Sequence, residues 1–353
     1  MTKLTANVAI NMKALQDENA LTVNFEQFSD GFFSNVDATQ DKLFTITGET
    51  AAGGTAYVDV SGQEFEYLPF PTTRGEIPTD GVITGLEGGL MIGDAKQVLL
   101  TIDDFRLSVD RVGEVALSDS TKDDAALVRQ LFQRADSLVG SSQTDYLIGY
   151  DGNDTLDGGA GGADTLAGGN GLDTASWAKS GRLVQVFLDG SKAHGSGATG
   201  DVLLNIENLE GSRFGDGLHG DAKANVISGK AGNDLLWGQG GKDTFVFDTA
   251  LNGKTNVDSL RDFEHLVDRI ALDRDLFEGI VFGKTGLMAS KHFYEGSAAH
   301  DLNDRIIYNS ETGRLFYDAD GNKAGGEKAV AFAIIAKQDG DFPTLSNLDF
   351  FSA

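Results

Sequence analysis

The sequence predicts a mainly all-β protein, and three patterns carry that prediction. Glycines and aspartates recur with a period of nine residues between residues 140 and 246, and an apolar residue follows each aspartate. Residues 1–139 show no repeat, but apolar and polar residues alternate in several runs, as in strands with one buried face. One stretch, residues 122–138, has apolar residues at helical spacing and predicts a single helix.

The N-terminal part, residues 1–139, is expected to be a β-rich domain. Glycine and aspartate separate its apolar runs, which favours strands joined by turns. Ser120 is a candidate cap for the helix of residues 122–138. The apolar stripe of that helix is expected to pack in a core or to cover the first turn of the repeat region. The predicted strands are residues 43–46, 55–60, 64–68, 81–83, 97–102 and 105–109.

Seven aspartates and one asparagine mark the repeats, which fall into two blocks, residues 140–176 and 211–246. Glycines before each of them permit positive φ angles and let backbone carbonyls turn toward a common centre. The apolar residue two places later predicts a short strand with one inward side chain, a position that a flexible glycine-rich linker would have no reason to keep. The marking residues are Asp145, Asp154, Asp164 and Asp173 in the first block and Asp216, Asn225, Asp234 and Asp243 in the second.

This pattern resembles the G-G-x-G-x-D-x-U-x nonapeptide of the RTX (repeats-in-toxin), hemolysin-type calcium-binding proteins. The resemblance implies a C-terminal parallel β-roll, with two nonapeptides in each turn of about eighteen residues and Ca²⁺ between the turns. The implied pairs are Asp145 over Asp164, Asp154 over Asp173, Asp216 facing Asp234, and Asn225 facing Asp243. Because Asn225 lacks a charge, the site that it shares with Asp243 should be the weakest.

Oxygen ligands, part carboxylate and part carbonyl, suit Ca²⁺ rather than Zn²⁺, and about four or more ions are expected. Two further acidic clusters are candidate calcium sites, with ordinary turn and strand-edge acids as the alternative interpretation: Asp258, Asp262 and Asp268, and Asp318, Asp320 and Asn322. The predicted metal-binding residues are Asp145, Asp151, Gly152, Asn153, Asp154, Gly161, Asp164, Gly171, Asp173, Asp216, Asn225, Gly232, Asn233, Asp234, Gly241, Asp243, Asp258 and Asp262.

The charge of the chain predicts that the metal controls folding. The formal net charge is −26, which argues against nucleic acid as a partner because a phosphate backbone requires a basic surface. Two stacked carboxylates about 5 Å apart repel by roughly 3 kcal/mol at an effective dielectric constant near 20. The summed repulsion of several such pairs is comparable to the free energy of unfolding of a whole domain. The roll is therefore expected to be unfolded without calcium and to fold when calcium binds.

The rest of the chain bears on export. Residues 177–210 interrupt the repeats and are predicted to form a hairpin that leads back into degenerate repeats over residues 201–209; residues 305–321 predict a second hairpin. Residues 249–353 resemble the cap and secretion region of serralysin-like RTX proteases, which implies a type I secretion system as partner and an extracellular location. The N-terminus shows no signal peptide, and the longest apolar run, residues 329–336, is too short to span a membrane. The predicted domains are thus residues 1–139, 140–248 and 249–353.

No catalytic residue can be assigned. The chain lacks H-E-x-x-H, G-x-S-x-G and P-loop motifs, and it has no cysteine. Three functions compete for the protein. Its N-terminal part is either a non-catalytic binding, adhesion or matrix module with a glycan or cell-surface ligand, or a polysaccharide-acting enzyme that uses carboxylates. The third alternative is a structural protein whose rolls or acidic faces assemble through calcium. The neighbouring acids Asp103 and Asp104 would point to opposite faces of a strand and cannot form a catalytic pair.

Overall fold

The computed structural model describes residues 3–6, 42–49, 55–68, 77–92, 95–108, 129–130, 132–190, 193, 195 and 198–353. The chain forms two compact units, Met1–Asp173 and Thr174–Ala353. Nearly all of the regular structure in the described residues is β-strand, so the predicted fold class is confirmed. The predicted division into three domains stays a prediction.

The first unit begins with a sheet of long antiparallel strands. Strands β2, β3, β4 and β5 pair in that order, and β1 pairs with β5. The six short strands predicted in this region lie in four longer ones, because two pairs of predicted segments are continuous in β3 and β5. Residue 109 of the last predicted segment lies outside the described residues. The bounds are β1 Lys3–Ala6, β2 Lys42–Glu49, β3 Thr55–Leu68, β4 Ile77–Ile92 and β5 Ala95–Ser108.

The same unit contains the first rungs of a parallel roll: β6 Ser137–Val139, β7 Tyr146–Asp151, β8 Thr155–Asp157 and β9 Thr165–Asn170. Strands β6 and β8 pair in parallel, with Leu138 opposite Leu156, and β7 and β9 pair with Leu147 opposite Leu166. All four leucines are fully buried. Strand β1 also pairs in parallel with β6, so the N-terminal sheet is continuous with the first rung.

The helix predicted over residues 122–138 is wrong in its last part. Residues 132–136 form turns and Ser137–Val139 is the strand β6, while residues 122–128 and 131 lie outside the described residues. Leu138 lies two places after Asp136, the spacing that the repeats use for an inward side chain. Pairing of this segment with neighbouring strands therefore prevails over helical spacing, since a buried β-rung satisfies both its backbone and its leucine.

The second unit contains parallel rungs in two sheets. One sheet pairs β10, β13, β15, β17 and β19, and the other pairs β11, β14, β16 and β18. The bounds are β10 Thr174–Ser176, β11 Gln185–Phe187, β12 Val202–Leu204, β13 Asn208–Glu210, β14 Gly217–His219, β15 Val226–Ser228, β16 Leu235–Trp237, β17 Thr244–Phe247, β18 Asp258–Leu260 and β19 Arg269–Leu272.

One inward residue from each rung forms the core between the two sheets. In the first sheet Leu209, Ile227 and Phe245 are opposite one another at steps of eighteen residues, and in the second Leu218 is opposite Leu236. These side chains are at most 1% exposed. Burial of each such side chain contributes about 1.5–3 kcal/mol, so the repeated apolar position is the main source of cohesion between turns.

The hairpin predicted within residues 177–210 is wrong. Strand β11 pairs in parallel with β14, and β13 pairs in parallel with β10 and β15. The interruption thus supplies rungs to both sheets of the roll. Its strands escape the sequence pattern because no glycine ladder precedes them.

The C-terminal segment completes both sheets. Its bounds are β20 Phe293–Glu295, β21 Ile306–Asn309, β22 Arg314–Tyr317, β23 Val330–Ile335 and β24 Phe350–Ser352, with short 3₁₀ turns at Ser290–His292 and Asn347–Asp349. Strands β21 and β22 form the predicted antiparallel hairpin, and β23 pairs in parallel with β18. Strand β24 pairs in parallel with β19, so residues near the C-terminus form a rung of the roll.

Candidate metal centre

The marking residues of successive turns stack upon one another at the edges of the roll. In each pair, the backbone N–H of the earlier residue donates to Oδ1 of the later aspartate. The donor and acceptor pairs are Asp145 and Asp164 at 2.8 Å, Asp154 and Asp173 at 2.9 Å, Asp216 and Asp234 at 2.7 Å, and Asn225 and Asp243 at 2.9 Å. The structure therefore brings together the four pairs that the nine-residue period predicts.

These columns extend beyond the recognised repeats. The N–H of Asp136 donates to Oδ1 of Asp154 at 2.8 Å, which adds a rung that the sequence analysis missed. Its signal is the apolar Leu138 two places later. At the other end, Asp234 N–H donates to Asp258 at 3.1 Å and Asp243 N–H donates to Asp268 at 3.0 Å.

The structure does not bring Asp258, Asp262 and Asp268 together as one cluster. Asp258 and Asp268 belong to two different columns, and Asp262 accepts from the N–H groups of Gly238 and Gln239 at 2.9 Å each. Within the described ranges, no three acidic or histidine side chains converge as a metal-binding group. Any metal site in these loops must therefore draw much of its coordination from backbone carbonyls.

The predicted glycines adopt a conformation that only glycine accepts easily. Their φ angles lie between 127° and 149°, and a Cβ atom at most of them would fall inside contact distance of a carbonyl in the preceding turn. Arg134, for example, presents its carbonyl to Gly152, and Gly152 presents its own to Gly171. The residues with this conformation are Gly152, Gly161, Gly171, Gly232 and Gly241.

Three other predicted residues brace the turns through their side chains. Oδ1 of Asp151 accepts from the Asn170 side chain at 2.7 Å. Asn153 Oδ1 accepts from Leu172 N–H at 3.0 Å, and Asn233 Oδ1 accepts from Val257 N–H at 2.9 Å. Any role of Asn153 and Asn233 toward a metal would therefore fall to their backbone carbonyls.

The stacked carboxylates are buried, and their charge is poorly satisfied. Burial raises the pKa of Asp154 to about 7 and that of Asp243 to about 7, with further contributions from neighbouring acids. Burial, together with Asp258, also raises the pKa of Asp234. Oδ2 of Asp154 and Oδ2 of Asp234 are buried and accept no hydrogen bond. A bound cation would satisfy both the charge and these oxygens.

The donor set fits Ca²⁺. The loops offer carboxylate oxygens from the columns and carbonyl oxygens from the glycine-rich turns, and hard oxygen ligands of both kinds are what Ca²⁺ takes. Stacked aspartates such as Asp154 and Asp234, whose Oδ2 atoms accept no hydrogen bond, would hold the ions, with the glycine carbonyls completing the coordination.

The second acidic cluster serves its own turns. Oδ1 of Asp318 accepts from the N–H groups of Asp320 at 3.3 Å and Gly321 at 2.9 Å, and the side chain of Asn322 donates to the His300 carbonyl. These bonds stabilise the local turns, whereas Oδ1 of Asp320 is buried and accepts no hydrogen bond. Calcium binding at this cluster stays a prediction.

The fold and the loops define a calcium-binding parallel β-roll. A family model of the RTX calcium-binding nonapeptide repeat matches residues 132–162, 159–175 and 219–249. The chain therefore contains RTX calcium-binding nonapeptide repeats, and these repeats bind several Ca²⁺ ions. No curated protein matches the chain. Within the described residues, no helix is long and apolar enough to cross a membrane.

Proposed function

We propose that this RTX protein leaves the cell unfolded through a type I secretion system and folds outside when its roll binds calcium. The observation that carries the proposal is the column of buried carboxylates. Asp154, Asp234 and Asp243 are each 1% exposed, and each is stacked on an aspartate or asparagine of the adjacent turn. Bringing such charges together costs free energy that a bound cation offsets.

The direction of folding follows from calcium concentration and charge. Inside the cell calcium is scarce, so repulsion among the acids keeps the roll unfolded and able to pass through a channel. Outside the cell, Ca²⁺ supplies the positive charge that lets the aspartate columns stack. The chain has 54 Asp and Glu against 28 Lys and Arg. This excess of acids increases both the repulsion that opposes folding without calcium and the attraction for Ca²⁺ outside the cell.

Folding is proposed to begin at the C-terminal cap. Strands β23 and β24 pair with the last two rungs of the roll, and Phe350 in β24 is fully buried. Completion of these sheets gives the preceding turns a surface on which to stack, since a rung with an unpaired neighbour leaves its backbone groups unsatisfied. Residues 249–353 would thus act first as the secretion region and then as the folding cap.

The N-terminal part is proposed to be a non-catalytic binding module for a glycan or a cell-surface ligand. Its long antiparallel strands continue into the first rung of the roll through the pairing of β1 with β6. Calcium-dependent order in the roll would therefore support the strands that present the ligand-binding surface. The absence of protease, lipase and P-loop motifs in the sequence agrees with a binding role.

Circular dichroism of the full chain tests the folding switch. The β signal should be weak in chelator and should increase cooperatively when millimolar Ca²⁺ is added. A complete β spectrum in chelator would refute the proposal. Export is tested in a bacterium with and without a type I transporter, where the full chain should reach the medium only with the transporter and a chain that lacks residues 249–353 should not.

The binding role is tested with a glycan array and the calcium-loaded full chain. Retention of one glycan class without release of reducing ends is expected. Release of reducing ends from a polysaccharide would instead identify a carboxylate-dependent enzyme. Growth of light scattering with calcium concentration, in the absence of glycan, would identify self-assembly.

A further inference from the structure

The loops of the roll fall into two conformational classes. Five of them, which we call the glycine loops, have positive φ at their second residue and again at a later glycine. That second residue is a glycine in some loops but Tyr150, Lys230 or Gln239 in others, with φ of 72°, 65° and 67°. The glycine loops are residues 149–154, 158–164, 168–173, 229–234 and 238–243.

The other three loops, which we call the capped loops, are residues 140–145, 211–216 and 220–225, and none of their residues has positive φ. Their second residues are Ser141, Ser212 and Asp221, whose side chains close the loop internally. Each side chain accepts from the N–H two places later, at 3.1 Å, 3.1 Å and 2.7 Å respectively. This is the local side-chain bond that serine and aspartate make in turns.

The same second residues also bind the marking residue of their loop. Ser141 N–H donates to Oδ2 of Asp145 at 2.7 Å, and Ser212 N–H donates to Oδ2 of Asp216 at 2.6 Å. Both serine hydroxyls reach the same carboxylates, at 3.0 Å and 2.9 Å. These charge-assisted bonds satisfy the carboxylate from within the loop.

Asparagine plays the same part in the third capped loop. Asn225 Oδ1 accepts from Asp221 N–H at 2.8 Å, and its Nδ2 donates to the Glu207 carbonyl at 2.8 Å. Both the oxygen and the nitrogen of the Asn225 amide are hydrogen-bonded here, whereas the carboxylate of an aspartate would place negative charge against the Glu207 carbonyl. The uncharged residue at this marking position therefore fits a loop that closes without a cation.

Asp216 and Asp234 show the difference between the two classes most directly, because they are adjacent members of one column. Both oxygens of Asp216 accept hydrogen bonds, Oδ1 from Val184 N–H at 2.8 Å and Oδ2 from Ser212. Oδ2 of Asp234 is equally buried and accepts none. The Asp216 carboxylate is thus fully hydrogen-bonded within the protein, whereas the Asp234 carboxylate requires an additional partner.

We propose that calcium is held by the glycine loops, and that Ser141, Ser212 and Asp221 close the capped loops without metal. The capped loops then act as metal-independent starts for the two blocks. Loop 140–145 opens the first block, and loops 211–216 and 220–225 together make the first complete turn of the second. This inference rests on the calcium-dependent folding proposed above and states which loops carry that dependence.

Calcium counting on the full chain tests the assignment, with the metal alone as probe. Isothermal titration and equilibrium dialysis would compare Asp234→Asn with its matched control Asp216→Asn. The first variant should bind one ion fewer than the unaltered chain, and the second should bind the same number. Loss of an ion by Asp216→Asn would overturn the proposal.

A gain of function provides a second measurement that does not depend on Asp216→Asn folding. The double variant Ser212→Gly, Phe214→Gly converts loop 211–216 to the G-G-x-G-x-D pattern and removes its internal cap. It should bind one ion more than the unaltered chain, and an unchanged count would contradict the proposal. Failure of the folding switch itself would show differently, as an unaltered chain that is fully folded in chelator.

Discussion

Replacement of Asp243 by asparagine is expected to have opposite effects with and without calcium. Asp243 is 1% exposed, and its Oδ1 accepts from Asn225 N–H at 2.9 Å, a bond that the asparagine oxygen can keep. Burial raises the pKa of this carboxyl to about 7, and Asp268 and Asp262 add to the effect. The variant therefore removes an unfavourable charge and a calcium ligand in one step.

The magnitude in chelator follows from the two pKa values. The Asp243 carboxyl has a pKa of about 7 in the folded state against 3.8 when unperturbed, so its ionisation lowers the free energy of unfolding at pH 8 by at most about 4 kcal/mol. Asparagine avoids that cost, so Asp243→Asn should be more folded than the unaltered chain in chelator at pH 8. The advantage should disappear toward pH 4, where the carboxyl is protonated in the folded state.

With calcium present, Asp243→Asn is expected to destabilise the folded state instead of stabilising it. If loss of the ligand weakens one site about 100-fold, up to about 2.7 kcal/mol of calcium-dependent stabilisation is lost. The calcium concentration needed for half-folding should therefore rise. The surface variant Asp275→Asn, which removes the same charge from an exposed position, should change neither quantity by more than about 0.5 kcal/mol.

Tryptophan fluorescence and circular dichroism measure both effects. The chain has two tryptophans, the buried Trp177 and Trp237, which is stacked on His219 with ring centroids 3.9 Å apart, and both lie in the unit that contains Asp243. Calcium titrations in urea at pH 8 would show curves for the variant and the unaltered chain that cross. A variant that is less folded in chelator, or one with an unchanged calcium midpoint, would refute the reasoning.

Three further predictions concern pH, the glycine loops and the core. In chelator the β signal should increase from pH 8 to pH 5, because the raised pKa values of Asp154 and Asp243, each about 7, give stability that is present at acid pH and lost as pH rises through 7; a steady decrease toward pH 5 would contradict this. Gly171→Ala should lower the free energy of unfolding in calcium by more than about 3 kcal/mol, because the φ of Gly171 is 147° and the added Cβ would clash with the Gly152 carbonyl. The control Gly181→Ala, which has open space around it, should leave the free energy of unfolding, measured in urea, nearly unchanged. Leu236→Ala should cost about 2–5 kcal/mol by the same assay, and the adjacent, 43% exposed Leu235→Ala about 0.5 kcal/mol or less; equal costs would mean that the inward column is not the core.

The repeats could be placed from sequence because their geometry is local. Glycines at fixed spacing admit positive φ, and a leucine two places after an aspartate can point inward in a short strand. The stacking of Asp154 on Asp173 and of Asp216 on Asp234 then follows from two repeats per turn. The extra residue before Asp164 appears in the structure as a step of nineteen residues between Leu147 and Leu166.

Rungs without glycines could not be placed in this way. Ser137–Val139 was expected to be helical and Gln185–Phe187 to lie in a hairpin, yet both are rungs of the roll. Their pairing depends on backbone groups of strands eighteen and thirty-two residues away, as Leu138 with Leu156 and Val186 with Leu218 show. The spacing of neighbouring residues does not indicate such distant partners. In the folded chain, the need to hydrogen-bond buried backbone groups outweighs the local preference for helix or hairpin.

The sequence alone thus determined the class of fold, the metal and the positions of the marking aspartates, because each of these follows from residue chemistry at short range. Only the tertiary structure decided how each loop closes. Ser212 and Lys230 occupy the same position in their repeats, but one caps its loop through an aspartate and the other takes a positive φ. The Ser212 hydroxyl binds Asp216 within its own loop, whereas the Lys230 ammonium pairs with Glu210 and Asp248 from the turns before and after it, and these turns meet only in the folded chain.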